Sequence, residues 1–239
     1  YVANTPRTFT SVVVNGTLTH SENAFAEDHK IFLTTSGNFS VTGGGRIDVD
    51  DLGFYLGSGT GAGADAGTYG SGAGHGGTGG ITTDGSSTGG MTYDTEAGPV
   101  HLGSGGGPST ARGGEGGGAV YLAVGGNMTL GGEITANAEA TAPGSDAGGG
   151  SGGSIWLNIT GTLAGTGNVY AKGGSGSAAN TGAGAGGRIA INCTSYTWTG
   201  TGDVTAGIQG QTADTGTIYT TSCPQGSNTA PTVSTVLAA

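Results

Sequence analysis

The sequence predicts an all-β protein, a right-handed parallel β-solenoid of five to six coils with long glycine-rich loops on one side. Three observations predict this fold: segments that repeat at a fixed spacing, apolar residues that alternate within each segment, and abundant glycine between the segments. Glycine supplies 57 of the 239 residues and proline only 6. Collagen needs glycine at every third position together with abundant proline, so that class is excluded.

The charge balance excludes some partners. Charged residues make up 9% of the chain and apolar residues 33%, and the net charge is −10 at pH 7. Nucleic acids and anionic membranes bind basic patches, so neither is an expected partner. The longest apolar run, residues 119–124, is too short for a membrane span, which needs about 20 residues. The chain opens at Tyr1 without an initiator Met, so we expect a mature or excised segment.

The repeats are the strongest feature of the sequence. The three fullest copies begin at Ala119, Ser154 and Arg188, an earlier copy begins at Lys30, and a half-copy begins at Thr217. Ile134 and Val169 are 35 residues apart, and so are Val169 and Val204. Such a fixed period is typical of solenoids, in which each repeat packs on its neighbours.

Each copy contains three short strands with one buried face. Ile155, Leu157 and Ile159 alternate with polar or aromatic residues, which is the period of a half-buried strand. Like residues of successive coils should stack in columns. One predicted column contains Ile31, Val120, Ile155, Ile189 and Ile218. A second contains Ile47, Ile134, Val169 and Val204.

The chain divides into three parts by composition. Residues 1–29 are predicted to be an N-terminal strand segment or cap, residues 30–223 the solenoid, and residues 224–239 a C-terminal tail or linker strand. The largest glycine-rich insertion is residues 53–117. Such loops are either disordered, functional, or packed side by side as extended left-handed helices bonded backbone to backbone, and the sequence leaves these alternatives open.

Three motifs carry a resemblance to known proteins. They are Gly-Gly-Ser-Ile-Trp-Leu at 152–157, Gly-Gly-Arg-Ile-Ala-Ile at 186–191 and Gly-Thr-Ile-Tyr at 216–219. With their intervening glycine-rich loops, they resemble the glycine-rich repeat regions of large secreted and cell-surface proteins of microbes, over residues 30–222. The resemblance implies a β-solenoid stalk or an adhesin-like surface element, and an extracellular or cell-surface location.

The two cysteines predict a disulfide. Cys193 and Cys223 occupy similar places in adjacent coils. Adjacent coils lie about 4.8 Å apart, which is within the Cα separation that a disulfide requires. We therefore predict a Cys193–Cys223 bridge and with it a secreted protein. The alternative is two buried thiols in a reducing compartment.

Asparagine recurs in Asn-x-Ser/Thr sequons. The five candidates for glycosylation are Asn15, Asn38, Asn127, Asn158 and Asn192. Outward asparagines can carry glycan on an extracellular protein. Stacked asparagines can equally form an amide ladder without sugar.

The sequence offers little that is typical of a catalytic site. Carbohydrate-cleaving solenoids need clustered carboxylates with a basic residue or Ca²⁺, and no acidic column crosses the coils. Asp48, Asp50 and Asp51 are a weak Ca²⁺ candidate, and solvated acidic residues are the competing interpretation. We expect no enzymatic activity and no cofactor.

Two features point to assembly or binding. Tyr121, Trp156 and Tyr219 fall in one outward column, an aromatic stripe that either stacks on sugar rings or is covered by the loops. The tail carries Val233, Val236 and Leu237, which could anchor a strand on a neighbouring sheet edge. The sequence therefore predicts a structural subunit that joins copies of itself head to tail. The alternatives are a glycan-binding adhesin module and a passive stalk segment.

Overall fold

The computed structural model describes residues 1–65, 67–109, 111–208 and 210–221. Its described part contains sixteen strands and no helix, and hence no helix with the length and apolarity needed to cross a bilayer. The strands are β1 (Arg7–Phe9), β2 (Val12–Val14), β3 (Thr17–Leu18), β4 (Ile31–Thr35), β5 (Phe39–Val41), β6 (Arg46–Asp48), β7 (Ala119–Val124), β8 (Met128–Leu130), β9 (Glu133–Thr135), β10 (Ser154–Ile159), β11 (Thr162–Gly165), β12 (Asn168–Tyr170), β13 (Arg188–Asn192), β14 (Ser195–Trp198), β15 (Gly202–Asp203) and β16 (Thr217–Thr221).

The strands form three parallel sheets, and the chain visits the sheets in turn. The first sheet has the order β1-β4-β7-β10-β13-β16, the second β14-β11-β8-β5-β2, and the third β15-β12-β9-β6-β3. Each set of three consecutive strands, one per sheet, is here called a coil. This arrangement is consistent with the predicted parallel β-solenoid.

The predicted column of the first sheet is confirmed. Ile31 pairs with Val120, Val120 with Ile155, Ile155 with Ile189, and Ile189 with Ile218. The inward residues of all three sheets form one continuous apolar core. Core residues such as Ile155 and Leu157 are completely buried. The alternating pattern therefore places one face of every sheet in the core, as a period of two requires.

The predicted column of the third sheet is wrong at one position. Ile47 pairs with Ile134 and Ile134 with Val169, but Val169 pairs with Gly202 and not with Val204. The repeat shortens between the fourth and fifth coils, because Leu163 pairs with Tyr196 after 33 residues, whereas Met128 pairs with Leu163 after 35. Because the shift is of two residues, Val204 stays on the buried face. It lies in the next inward column of the sheet and not in the predicted one. Gly202 therefore leaves a small residue in a column of large ones.

Residues 1–29 contain a complete first coil. The strands β1, β2 and β3 pair in register with β4, β5 and β6. In addition, residues 1–3 run parallel to β3 on its other side. Val2 bridges Thr19, and the backbone N–H of Ala3 donates to the carbonyl of Thr19 at 2.7 Å. The third sheet thus extends one partial strand further than the other two at this end.

The glycine-rich stretches pack together through their backbones. Successive N–H groups of residues 70–75 donate in rotation to three neighbouring segments, and every third residue returns to the same neighbour. The donor–acceptor pairs are Gly70–Asp146 and Ala73–Gly149, Ser71–Ala64 and Gly74–Gly61, and Gly72–Gly80 and His75–Gly77. A period of three is that of a polyproline II helix. Of the three alternatives, side-by-side packing of extended segments is the one observed, and we call this region the glycine bundle.

The bundle needs glycine because its segments touch at the backbone. A Cβ atom on Gly72 would lie 1.7 Å from the carbonyl oxygen of Ala183, and one on Gly148 would lie 2.0 Å from that of Ser71. Neither glycine has the left-handed conformation that requires glycine for itself. Glycine is therefore required at these positions because a side chain has no room, and not because of the backbone torsion angles.

Candidate functional site

One end of the sheets is open and apolar. Among the described residues, nothing pairs with the outer edges of β1 and β2. Eight large apolar side chains of the described chain are exposed, and four of them lie at this end: Tyr1 at 68%, Val13 at 66%, Val2 at 51% and Phe9 at 38%. Exposed edges with apolar side chains are a template for association with another chain. We call this surface the open end.

A depression of about 620 Å³ crosses the open end. Its floor includes Val12, Val14, Leu18 and Leu33, and Phe9 lies at its side. Phe9 pairs with Thr35, whose side chain is buried, so Phe9 belongs to an inward column that no further coil covers. The depression is therefore the exposed cross-section of the apolar core.

The opposite end is stepped. β16 extends the first sheet beyond the fifth coil, whereas β14 and β15 are the last described strands of the second and third sheets. Cys193 is buried next to β13. Its predicted disulfide partner Cys223 and the tail residues Val233, Val236 and Leu237 lie outside the described residues, so the bridge and the tail stay predictions.

Two rings of the predicted aromatic stripe, Tyr121 and Trp156, form a tilted ladder with Phe32 on the outer face of the first sheet. Phe32 pairs with Tyr121, and Tyr121 with Trp156. Both pairs of ring centroids are 4.4 Å apart, with interplanar angles of 53° and 44°. Ala190 lies between Trp156 and Tyr219 in this column. The three rings therefore pack against one another at a tilt, and each gives part of its free surface to its neighbour.

A segment of the insertion folds over one end of this ladder. A Cβ on Gly98 would lie 3.1 Å from the Trp156 ring. The buried Arg188 of β13 donates from Nε to the carbonyl of Tyr93 at 2.8 Å and lies 3.6 Å from the Glu96 carboxylate. These contacts favour the interpretation in which the loops cover the stripe.

A buried polar cluster fastens the glycine bundle to the first sheet. His75 Nδ1 donates to the carbonyl of Gly152 at 2.7 Å, since a carbonyl oxygen can only accept. His75 Nε2 lies 3.6 Å from Asp94 Oδ2 and 3.5 Å from the hydroxyl of Ser154. The Ser154 hydroxyl donates to the carbonyl of His101 at 2.6 Å. Serine and carboxylate face the same ring nitrogen, which differs from the relay of a hydrolase triad.

Asp94 is the centre of this cluster. Its carboxylate accepts hydrogen bonds from the backbone N–H groups of Thr95, Val100 and His101, each at 2.8 Å. Burial opposes ionisation, but the hydrogen bonds from His75 and the backbone outweigh it and hold the pKa of Asp94 well below its usual range. Its backbone φ is +66°, a left-handed conformation that asparagine and aspartate tolerate. The sequence analysis missed this cluster, because its members are 79 residues apart and only the Asp94-Thr95 turn could have indicated it.

The acidic Ca²⁺ candidates lie at one corner of the second coil. Arg46 contacts Asp48 at 3.2 Å and Asp50 at 2.9 Å. Burial, and then the charges of Asp50, Glu139 and Glu115, raise the pKa of Asp51 to about 7. Burial and the Glu139 charge also raise the pKa of Glu115 to about 7.

No three acidic, histidine or cysteine side chains of the described chain are grouped to hold a metal ion. Two of the three predicted ligands, Asp48 and Asp50, are instead paired with Arg46. The third, Asp51, is repelled by the neighbouring carboxylates.

The sequons follow the coil register. Asn158 pairs with Asn192, and both lie on the outer face of the first sheet. At the next corner, Asn38 Oδ1 accepts the backbone N–H of Asn127, and Asn127 Oδ1 accepts that of Thr162, both at 2.9 Å. These bonds connect one coil to the next through asparagine side chains. They correspond to the amide ladder, the interpretation of the sequons that needs no glycan. Asn15, Asn38, Asn127 and Asn158 are exposed, and Asn192 is half-buried.

Comparison with known proteins identifies no relative of this chain. No family model matches it, and neither a curated protein nor a solved structure matches it. The functional argument therefore rests on the described residues alone.

Proposed function

We propose that this chain is a non-enzymatic structural protein of the cell exterior whose copies join end to end in a filament or surface fibre. In this proposal the three sheets close into a right-handed parallel β-solenoid. The observation that carries the proposal is the open end, where the apolar core reaches the surface beside two unpaired strands. Solenoids normally cover such an end with a polar cap, because an uncovered one associates.

The sides of the molecule support the same function. Two depressions on the sides of the described chain are smaller than the one at the open end. One of about 430 Å³ lies beside Arg112, Glu115 and Thr141, and one of about 330 Å³ beside Gly44 and Gly132 is lined mainly by glycine and polar residues. The alternative function, a glycan-binding adhesin module, relies on the aromatic stripe. Sugar stacking needs free ring faces, and the tilted contacts among Phe32, Tyr121 and Trp156 occupy part of theirs. The open end is therefore the better candidate for binding.

The test is assembly of the purified chain, measured by sedimentation velocity over a concentration series and by electron microscopy. Phe9→Lys places an ammonium group where a second copy would bury it, so we expect filaments to be lost. Thr34→Lys is the matched control, because it adds the same charge at an exposed outward position one coil away. A wild-type chain that stays monomeric at all concentrations would refute the proposal.

The tail is a second part of the proposal. We propose that residues 231–237, with Val233, Val236 and Leu237, add to a strand edge at the joint. A chain that lacks residues 231–239 should then form shorter or less stable filaments. Unchanged filament length and stability would show that the tail is not a connector.

The extracellular location is tested by covalent modification. We propose a Cys193–Cys223 disulfide and glycan on exposed sequons such as Asn127 and Asn158. Intact mass of protein from the native source should exceed the polypeptide mass by whole sugar units, and reduction should add two hydrogens. A mass equal to that of the bare polypeptide would contradict the glycan, and a mass unchanged by reduction would contradict the disulfide.

A further inference from the structure

The two ends of the molecule are stepped in complementary ways. At the open end, residues 1–3 place a partial strand of a preceding coil on the third sheet alone. At the opposite end, β16 is the one strand of a following coil among the described residues, and it lies on the first sheet. Each end therefore presents one part of an incomplete coil, and the two parts belong to different sheets.

We propose that two copies share one coil at their junction, formed by β16 of one copy and residues 1–3 of the next. This inference rests on the proposed end-to-end assembly and specifies its geometry. In the shared coil, β16 pairs on its free side with β1 of the next copy, and residues 1–3 of that copy pair with β15. If the two ends stacked as flat surfaces, residues 1–3 and β16 would project from them and would have no strand to pair with.

The register of the first sheet defines which residues meet. Thr8 pairs with Thr34, Thr34 with Ala123, Ala123 with Asn158, Asn158 with Asn192, and Asn192 with Thr221. Continuing this outward column across the junction places Thr221 of one copy beside Thr8 of the next. Neighbouring Cα atoms in adjacent strands are about 5 Å apart, so these two positions lie within disulfide range.

The third sheet shows a fit in size. Val2 pairs with Thr19, so Tyr1 lies in the column that continues through Leu18, Ile47, Ile134, Val169 and Gly202. Across the junction, Tyr1 of one copy would lie over Gly202 of the other. Tyr1 is 68% exposed, and Gly202 is the one residue of the column without a side chain. A large residue opposite a small one lets the two copies interdigitate.

Next to this pair, Ala3 would lie over Val204. Ala3 occupies the inward position after Val2 and is completely buried, whereas Val204 is 9% exposed at the other end. The Ala3 side chain is small enough to lie over Val204 without a clash. On the other side of Val204, the equivalent inward position of the preceding coil is also an alanine, the buried Ala171. Both inward columns of the third sheet thus continue through the junction with matched volumes.

The first experiment is a cysteine pair, Thr8→Cys with Thr221→Cys, in the full-length chain under mild oxidation. Each molecule then carries one added cysteine at each end, besides the native Cys193 and Cys223. We expect a ladder of covalent multimers on a non-reducing gel that collapses on reduction and is absent from the wild-type chain treated in the same way. The matched control is Thr34→Cys with Thr221→Cys, which uses the same column but an interior coil, and it should give no ladder. The single variants give dimers at most.

The second experiment fills the space over which Tyr1 would lie. Gly202→Val restores the type of residue found in the other coils, and Gly202 has no left-handed φ that a side chain would strain. A Cβ at position 202 would lie 3.1 Å from Ile218 Cδ1, so the Ile218 side chain must shift, and we expect a small drop in melting temperature. The critical concentration for assembly should rise about tenfold, since overpacking at a junction is costly. Tyr1→Gly in the Gly202→Val background should restore assembly in part.

The outcomes separate this inference from the proposed function. Filaments in the microscope without a covalent ladder from the Thr8/Thr221 pair would overturn the shared coil and leave end-to-end assembly standing. Unchanged assembly of Gly202→Val would likewise overturn it. A chain that forms neither filaments nor ladders would overturn both.

Discussion

The coils and the glycine bundle solve the same packing problem by opposite means. The coils are held by side chains such as Ile155 and Leu157, which fill a core between three sheets. The bundle is held by backbone hydrogen bonds between segments so close that Gly72 has no room for one methyl group. In the first region the identity of the inward side chain matters, whereas in the second the absence of a side chain matters. A low apolar content therefore suffices for a chain of this length.

The largest effect is expected from a methyl group inside the bundle. Gly72→Ala places Cβ 1.7 Å from a carbonyl oxygen that is fixed by its own hydrogen bond to Gly80. Because backbone must move on both sides, we expect a loss of about 4 kcal/mol or more in the free energy of unfolding. Thermal unfolding followed by circular dichroism measures it.

The control for this change is Gly44→Ala, where a Cβ meets nothing within 4 Å. It should change stability by less than about 0.5 kcal/mol. Equal melting temperatures for the two variants would break the comparison between the regions.

A cavity in the coils should cost somewhat less. Leu157 is completely buried at the centre of the first sheet. Leu157→Ala should destabilise by about 3 kcal/mol through lost burial and an unfilled cavity. Leu157→Met conserves volume and should cost less than about 1.5 kcal/mol, as measured by denaturant unfolding. A single shared transition in these variants and in Gly72→Ala would show that the two regions unfold together, and two transitions that they do not.

The link between the regions should come next. Asp94→Ala leaves the backbone N–H groups of Val100 and His101 unpaired, so we expect a loss of about 2 kcal/mol at pH 7. Because the folded pKa of Asp94 is depressed, its contribution is present above the unfolded pKa of about 4 and is lost as pH falls toward the folded value. The difference between wild type and variant should therefore shrink at pH 3. Asp65→Ala, at an exposed position outside this cluster, is the control and should change the free energy of unfolding by less than about 0.5 kcal/mol at pH 7.

The smallest effect concerns Asp51. Its folded pKa of about 7 lies above the unfolded value, so the folded state binds the proton more tightly and stability is lost as pH rises from about 4 through 7. Asp51→Asn should flatten this decline and gain about 1 kcal/mol at pH 8, a figure discounted for partial solvation.

Denaturant unfolding at pH 5 and pH 8 measures the Asp51 effect. His20, whose pKa burial lowers to about 4, acts in the opposite direction, and the comparison of variant with wild type cancels it. An identical pH slope in both proteins would contradict the assignment.

The sequence predicted the coils well because their rule is local. The alternation of apolar and polar residues shows which face of each strand is buried. The branched apolar residue that recurs in each copy, such as Ile155 and Ile189, gives the register of the first sheet. The error at Val204 arose because a shortened coil preserves the alternation and hides the shift of two residues. Spacing alone cannot distinguish such a shift from a regular repeat.

The bundle and the buried cluster were beyond prediction for a different reason. Any glycine run can lie beside any other, so nothing in the sequence shows that Gly148 meets Gly107 or that Gly149 meets Gly182. Likewise, His75, Asp94 and Ser154 come together only after the bundle has packed on the first sheet. Tyr1 and Gly202 show the same limit at the ends, because their columns are defined by pairing and not by pattern.

A core made of peptide groups has a thermal consequence. Hydration of apolar surface gives unfolding a positive heat capacity, whereas hydration of exposed peptide groups lowers it. The glycine bundle buries mostly backbone, so the heat capacity of unfolding should fall below the usual value of about 12–15 cal/mol/K per residue. Its stability curve is then broad, and the bundle loses little strength on cooling, where apolar cores weaken. On cooling, the glycine bundle should therefore keep more of its stability than the apolar core of the coils.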